Sequence, residues 1–337
     1  VSAQVYDDLV DSTRRHESFG GPSMIGTRVL SVGHYQPERV VTNAELEKIV
    51  DTNDEWIQRR VGIRERRWAG PEETVDILAR KAAQDALDKA GMPASDIDTV
   101  IVATCSAFDR SPNMAARVAD QLKIPNAPAT IDINTACSGF PHAIAIAQQA
   151  IAFGSTTNAL VIGSEKLSDV TDFTDRTTAV LTADGAGAMV LTASEDQQIS
   201  PVLWGSVPEM GDAVRIERSN DDKFAQNGQS VFRWTTTALP KIAREILERA
   251  KVEPEDVGVI VLHQANLRII EPLARKIGAE QALVATDVTE SGNTSAASIP
   301  LALSKLMEQT DIPTGTPILM FAFGGGLSYA GQVIQAP

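Results

Sequence analysis

Short runs of aliphatic side chains alternate along the chain with longer stretches whose apolar positions recur every three or four residues. The runs 25–32, 99–104, 129–133, 159–163 and 186–192 have the length and content of β-strands. The stretches 74–90, 113–122 and 138–153 read as helices, the last of them apolar over most of its surface. Strands alternating with helices predict an α/β layered sheet. Residues 1–24 break the pattern: they are polar, end in Gly20-Gly21-Pro22-Ser23, and are predicted to form an extension outside the fold.

The second half repeats the first. Residues 79–104 align without a gap on 239–264 at a constant offset of 160, with Lys81/Lys241, Ala83/Ala243, Leu87/Leu247, Ala90/Ala250 and Asp96/Asp256 identical. Each copy reads as a helix, a proline-containing turn and a buried strand. A second pair of segments, 132–139 and 287–294, opens two apolar helices and sets Cys137 opposite Asn293, at an offset of 156 between those two residues. Two fused copies of one βαβ-rich unit, 25–195 and 196–337, are the simplest reading. Chance likeness between amphipathic helices is the alternative, and the gapless length weighs against it.

Composition narrows the class. Of 337 residues, 43% are hydrophobic and 22% charged, an ordinary globular balance with length for roughly two domains. No run approaches the roughly 18 apolar residues of a membrane span. The first residues carry Asp7, Asp8, Asp11, Arg14, Arg15 and Glu17 with no apolar segment, so no secretory signal is expected. Two cysteines, Cys105 and Cys137, cannot build a disulfide scaffold and fit a cytoplasmic protein. The net charge of −14, from 30 Lys+Arg against 44 Asp+Glu, repels phosphate backbones and anionic lipid. Neither nucleic acid nor membrane is expected as a partner.

The chain lacks a phosphate-binding glycine loop, a dinucleotide fingerprint, a zinc-protease motif and a serine-hydrolase elbow. What remains is Cys137. It follows an apolar strand, and Pro141 is tolerable only in a first helical turn, so a helix begins at or near it. A thiol at a helix N-terminus is drawn toward thiolate; a buried structural cysteine is an equally weighted reading of position alone. Cys105, at a strand end with no helix start behind it, reads as structural. His263 closes the apolar strand 259–262, the end at which α/β sheets expose reacting groups, although a lone histidine is commonly an ordinary polar residue. Asn293 reads either as a helix cap or, through the repeat, as the counterpart of Cys137. Gly324-Gly325-Gly326 offers unobstructed backbone N–H groups, suited to an oxyanion hole or to a plain turn.

Thr135-Ala-Cys137-Ser-Gly-Phe140, His263-Gln-Ala-Asn-Leu-Arg-Ile-Ile270, Gly292-Asn293-Thr-Ser-Ala-Ala-Ser-Ile-Pro300 and Ala322-Phe-Gly-Gly-Gly326 together resemble the β-ketoacyl-[acyl-carrier-protein] synthase III family, which initiates bacterial fatty acid synthesis. The segments 51–64 and 174–176 resemble it too, and the likeness runs from about Met24 to the C-terminus.

The resemblance implies a thiolase-like αβαβα five-layered fold from two duplicated halves, and a homodimer. It implies an acyltransferase that condenses an acyl-CoA primer with malonyl-[acyl-carrier protein], giving 3-oxoacyl-carrier, CoA and CO2. Cys137 would carry the acyl group, His263 and Asn293 would bind the malonyl thioester oxygen, and the N–H groups of Cys137 and Gly325 would form the oxyanion hole. No metal or redox cofactor is expected, acyl-CoA being a substrate. Trp56 and Arg176 would sandwich the CoA adenine with Arg60 near its phosphates, and Thr52, Gly228 and Asn266 would line the pantetheine path.

Ser111, Thr182 and Phe323 would form the acyl pocket. Ser111 and Thr182 stand where the family often has bulkier residues, which predicts room for branched or longer primers. Arg233, Gln264, Arg268, Arg275 and Lys276 would dock the acidic carrier. An acyltransferase or starter-unit enzyme of secondary metabolism is the alternative activity, and the presence of both His263 and Asn293 argues against simple acyl transfer. The segment 205–228 looks short and leaves the roof of the site undefined.

Overall fold

The computed structural model describes residues 25–337, so the extension expected over 1–24 lies outside the described residues. The apolar runs assemble into two five-stranded sheets. The first has the order β1 (Gly26–Tyr35), β7 (Asp184–Ser194), β6 (Asn158–Lys166), β4 (Thr99–Ala103), β5 (Ala129–Ile133). The second has the order β8 (Leu203–Ser206), β14 (Ser328–Gln335), β13 (Pro317–Gly324), β11 (Val259–Leu262), β12 (Leu283–Val284). Read in these orders, both sheets pair antiparallel, antiparallel, parallel, parallel. Two small two-stranded sheets, β2 (Val40–Thr42) with β3 (Glu65–Arg67) and β9 (Val214–Glu217) with β10 (Lys223–Gln226), lie outside them.

The helices complete five layers. Helices α2 (Val75–Ala90) and α3 (Met114–Gln121) cover the outer face of the first sheet; α4 (Gly139–Ala152) and α8 (Ser298–Gln309) fill the space between the sheets. Helices α6 (Leu239–Ala250) and α7 (Leu267–Ile277) cover the outer face of the second sheet, joined by α1 (Asp54–Val61) and α5 (Gly228–Thr237). The expected five-layered α/β fold is therefore present. It explains why α4 is apolar on most sides: Phe140, Ala143, Ile144, Ala147 and Ile151 are all buried between two sheets. None of the helices among the described residues is long and apolar enough to cross a membrane.

The duplication is visible at single-residue level. Helices α2 and α6 each end in a left-handed residue, Gly91 (φ 61°) and Lys251 (φ 56°), followed by 3-10 turns at Ala94–Asp96 and Pro254–Asp256 and then by β4 and β11. The starts of α4 and α8 match as well. Ala136 (φ 47°) and Ser295 (φ 48°) are left-handed, each opens a 3-10 turn, and Pro141 and Pro300 sit in the first turns of the helices.

This conformational match has an offset of 159 rather than 156, which sets Asn134, and not Cys137, opposite Asn293. The expected Cys137/Asn293 equivalence is corrected. The connections leading to the two elbows differ in length, the second holding the extra helical turn Val288–Ser291, so a fixed spacing cannot carry across them. The two elbows pack against each other. Gly163 on β6 lets the second elbow close on the first sheet: a Cβ there would lie 2.3 Å from the Ala296 carbonyl oxygen.

Candidate active site

Cys137 occupies the Ala136–Ser138 turn at the foot of α4, one residue after the left-handed Ala136. It faces a cavity of about 780 Å³ together with Cys105, Thr182, Asn293, Ser295 and Gly325. The segment whose outline was undefined in the sequence forms the roof: Val214 and Ile216 of β9 and Phe224 of β10 line the same cavity. Gly324 closes the other side of the sulfur. A Cβ on it would stand 2.5 Å from Cys137 Cβ and 2.9 Å from Sγ.

Burial and the helix start pull the thiol in opposite directions. Cys137 is only partly buried as a residue, yet the protein packed around it pushes its thiol up to about 11. A hydrogen bond from Ser295 opposes the rise, as do the backbone N–H groups of Gly325 and Cys137 itself, and the Glu165 charge adds to it. The expected drift toward thiolate is corrected: desolvation wins, and the resting group is a thiol.

His263 follows β11 and is 2% exposed. It does not line the cavity but sits against Phe323, ring centroids 5.5 Å apart at 77°, and Phe323 precedes the glycine that abuts Cys137. Burial pushes its imidazole down to about 3, so the ring is neutral. Its Nδ1 lies 2.8 Å from Ser298 Oγ, which also accepts the Gln264 N–H at 3.2 Å. With the serine proton given to Nδ1, the imidazole keeps its own proton on Nε2. Asn293 is held by its backbone to Leu181 and Ala183, and its Oδ1 accepts the Ser295 N–H at 2.8 Å. Its Nδ2 is thereby left as the free donor.

Two family models match, described as 3-oxoacyl-[acyl-carrier-protein (ACP)] synthase III over residues 131–208 and its C-terminal part over 247–336. The chain is 61% identical over 315 residues to β-ketoacyl-[acyl-carrier-protein] synthase III 4 of Streptomyces coelicolor, covering 93% of this chain and 99% of that one. It is 62% identical to β-ketoacyl-[acyl-carrier-protein] synthase III 2 of Streptomyces avermitilis, covering 93% and 100%. The chain belongs to the 3-oxoacyl-[acyl-carrier-protein] synthase III family.

The solved synthase III from Aquifex aeolicus superposes with a TM-score of 0.87 at 41% identity, over 92% of this chain and 100% of that one. The priming β-ketosynthase from the R1128 polyketide pathway gives 0.90 at 38%, over 94% and 98%. Thiolase-like fold and condensing-acyltransferase class are thus those of the synthase III family.

The remaining synthase III positions divide. Arg176 lies over the Trp56 ring at 4.7 Å and donates to the Asp51 carbonyl (3.3 Å), so the two residues expected to hold adenine stack on each other. Arg60 and Gly228 are exposed, Thr52 Oγ1 is buried without a protein partner, and Asn266 caps α7 through the Ile269 N–H (3.0 Å). Thr182 lines the cavity with its hydroxyl 2.6 Å from that of Thr171. Ser111 is exposed and Phe323 buried, and neither lines it.

Arg233, Arg268, Arg275 and Lys276 are exposed. Gln264 is corrected: it is 1% exposed and spends its amide on Leu262 O, Ala285 O and the Val288 N–H, leaving nothing for a docked carrier. Sequence reasoning missed Ser295, Ser298 and Glu165, which residue type alone does not mark, and treated Cys105 as structural although it lines the cavity.

Gly324→Ala is expected to displace the sulfur and lower acyl uptake by Cys137 about 100-fold with the fold retained, read by intact-protein mass spectrometry and a thermal melt. An unimpaired variant defeats this geometry. Because the folded His263 pKa is depressed below its unfolded value of 6.5, stability is complete above 6.5 and lost as pH falls toward about 3. Between pH 6.5 and 4, wild type should lose about 1.4 kcal/mol per pH unit more than His263→Gln in urea titrations. Parallel slopes count against a neutral, buried imidazole.

Proposed function

We propose that the protein condenses an acyl-CoA primer with a malonyl-acyl carrier protein to give a 3-oxoacyl-carrier, CoA and CO2, the opening step of fatty acid synthesis. The observation carrying this reading is a pair of neutral donors fixed by their other atoms: His263 Nε2–H, with Nδ1 engaged by Ser298, and Asn293 Nδ2, with Oδ1 engaged by Ser295. Two such donors match an oxygen that becomes anionic. Loss of CO2 from a malonyl thioester turns its carbonyl oxygen into an enolate, and donors aimed there favour the transition state over the ground state. Cys137 takes the acyl group from CoA as a thioester; the enolate carbon then attacks it, and the Cys137 and Gly325 N–H groups hold the second oxyanion. Decarboxylation supplies the carbanion, so we assign no cofactor.

The Trp56–Arg176 pair opens to admit adenine, with Arg60 at the phosphates and Thr52, Gly228 and Asn266 along the pantetheine arm. Arg233, Arg268, Arg275 and Lys276 meet the acidic carrier. A reducing, cytoplasmic setting suits a reaction that needs a free Cys137 thiol. The β5 edge of the first sheet, with Ile131 38% exposed, supports a homodimer formed edge to edge. The small Thr182 supports primers larger than acetyl.

Incubation with acetyl-, isobutyryl- and isovaleryl-CoA, then malonyl-carrier, should label Cys137 and release CO2 with a 3-oxoacyl product. Acyl transfer without CO2 overturns the reading, and a strict acetyl preference overturns the wide pocket. Light scattering should give twice the chain mass for wild type and the single mass for Ile131→Asp; a monomeric wild type removes the dimer.

A further inference from the structure

Arg66 on β3 is 0% exposed, the largest side chain fully buried among the described residues. It is also a cation: burial pushes its guanidinium down to about 10, which leaves it protonated at neutral pH. Its hydrogen bonds among the described residues all go to uncharged oxygens. Nη1 donates to Asn43 Oδ1 (2.7 Å) and to the Val41 carbonyl (3.4 Å), and Nη2 donates to the Val180 carbonyl (3.0 Å). Nε is buried without a partner among the described residues. A charge taken out of water and given no counter-ion is costly, and a methionine would fill the space without that cost. Packing therefore does not account for an arginine here, and the chemistry above gives it no part.

What the side chain touches leads to Asn293. Val180, whose carbonyl it holds, opens the segment 180–183, along which Asn293 is laid as a strand. The Leu181 carbonyl accepts the Asn293 N–H (2.8 Å), the Ala183 N–H donates to the Asn293 carbonyl (2.9 Å), and Thr182 and Asn293 form a parallel bridge. The stem of Arg66 packs against Gly292, the residue before Asn293. A Cβ on Gly292, whose φ is 70°, would stand 2.8 Å from Ala183 Cβ, 3.0 Å from Arg66 Cβ and 3.3 Å from the Leu181 carbonyl oxygen. On the other side, Asn43 accepts the guanidinium and passes the tie on, donating to Asp54 Oδ1 (2.7 Å) at the start of α1 and to the Ile63 carbonyl (2.9 Å). Helix α1 has anchors of its own: Glu47 accepts the Asp54 N–H (2.8 Å), and Arg268 bonds the Gln58 and Arg59 carbonyls. Arg66 thus ties a firmly held helix start to the backbone that carries the donor.

Resting on the condensing reading above, we infer that Arg66 is a positioning residue for Asn293: its guanidinium fixes the 180–183 segment, and that segment sets where Asn293 Nδ2 meets the malonyl thioester oxygen. Arg66 touches no substrate and acts only through this backbone. The bond from Ser295 to Oδ1 fixes which way the Asn293 amide points, whereas the 180–183 segment fixes where it stands. A planar fork suits the task, because its two arms reach Asn43 and Val180 at once and hold them at a set separation; an ammonium group has no such plane. The step that depends on Asn293 is loss of CO2. Acylation of Cys137 takes place at the other elbow, and Thr182 keeps a tie of its own to the Thr171 hydroxyl (2.6 Å), so the wall of the acyl cavity does not hang on Arg66.

The test separates the two half-reactions in wild type, Arg66→Met and Arg66→Lys. Acylation of Cys137 is read by peptide-mapped mass spectrometry in a single turnover at saturating acyl-CoA, using whichever acyl-CoA labels wild type most. Release of CO2 from malonyl-carrier is then read on the pre-acylated protein. Arg66→Met should slow CO2 release about 100-fold while changing acylation by less than about threefold. Arg66→Lys, which keeps the charge but loses the fork, should lose about tenfold on the same half-reaction alone. In an Asn293→Ala background, Arg66→Met should cost nothing further, because the donor it positions is gone. An unchanged CO2 rate, an equal loss in both half-reactions, or the same loss repeated without Asn293 overturns the inference. If Arg66→Met does not fold, Arg66→Lys carries the test under the same criteria. Failure of wild type to release CO2 defeats the condensing reading itself; normal wild-type turnover with unimpaired variants defeats only the positioning role.

Discussion

The site depends on one contact, the packing of the Ala136–Ser138 turn against the Ser295–Ala297 turn between the two sheets. Each turn is entered through a left-handed non-glycine residue, a conformation costing on the order of 1–2 kcal/mol, and each starts a helix clamped between apolar faces. That clamping is what holds the strained residues in place. It also sets the nucleophile: Cys137 is carried by the first elbow, while the second fixes Asn293 through Ser295 and His263 through Ser298. Loosening the approach at Gly163 would move both donors relative to the sulfur.

Packing the site into the middle layer decides its electrostatics. A helix N-terminus contributes at most about 2 kcal/mol toward thiolate, and it does not prevail against removal of the sulfur from water. The outcome is a site of neutral groups at rest, with a thiol at about 11 and an imidazole at about 3. Neutral donors suit a reaction whose charge appears only on the way to the transition state, since a permanent cation would hold the malonyl carboxylate and oppose its loss.

The surface cations are built into the fold as well as exposed. Arg268 donates to the Gln58 and Arg59 carbonyls at the end of α1, and Lys276 to the Thr236 carbonyl near the end of α5. Each closes a helix C-terminus while keeping its charge at the surface. Cations fixed in this way present their charge in a defined geometry on an otherwise acidic chain, in contrast to free lysines.

Much of the architecture was legible before any coordinates. Strand and helix periods, the repeat at 160 and the proline in the first turn of α4 are local properties, written in neighbouring residues, and they led to an α/β layered sheet and to Cys137 as a candidate, while the five layers came from the family resemblance. Only the tertiary structure could decide the rest, because it depends on residues far apart in the chain. The elbow equivalence shifted because a connection of different length is invisible to a fixed spacing. Gln264 changed from a surface contact to a buried clasp because its partners, Ala285 and Val288, come from another segment. The ionisation of Cys137 follows from how much water the assembled layers exclude, a quantity that no stretch of sequence contains by itself.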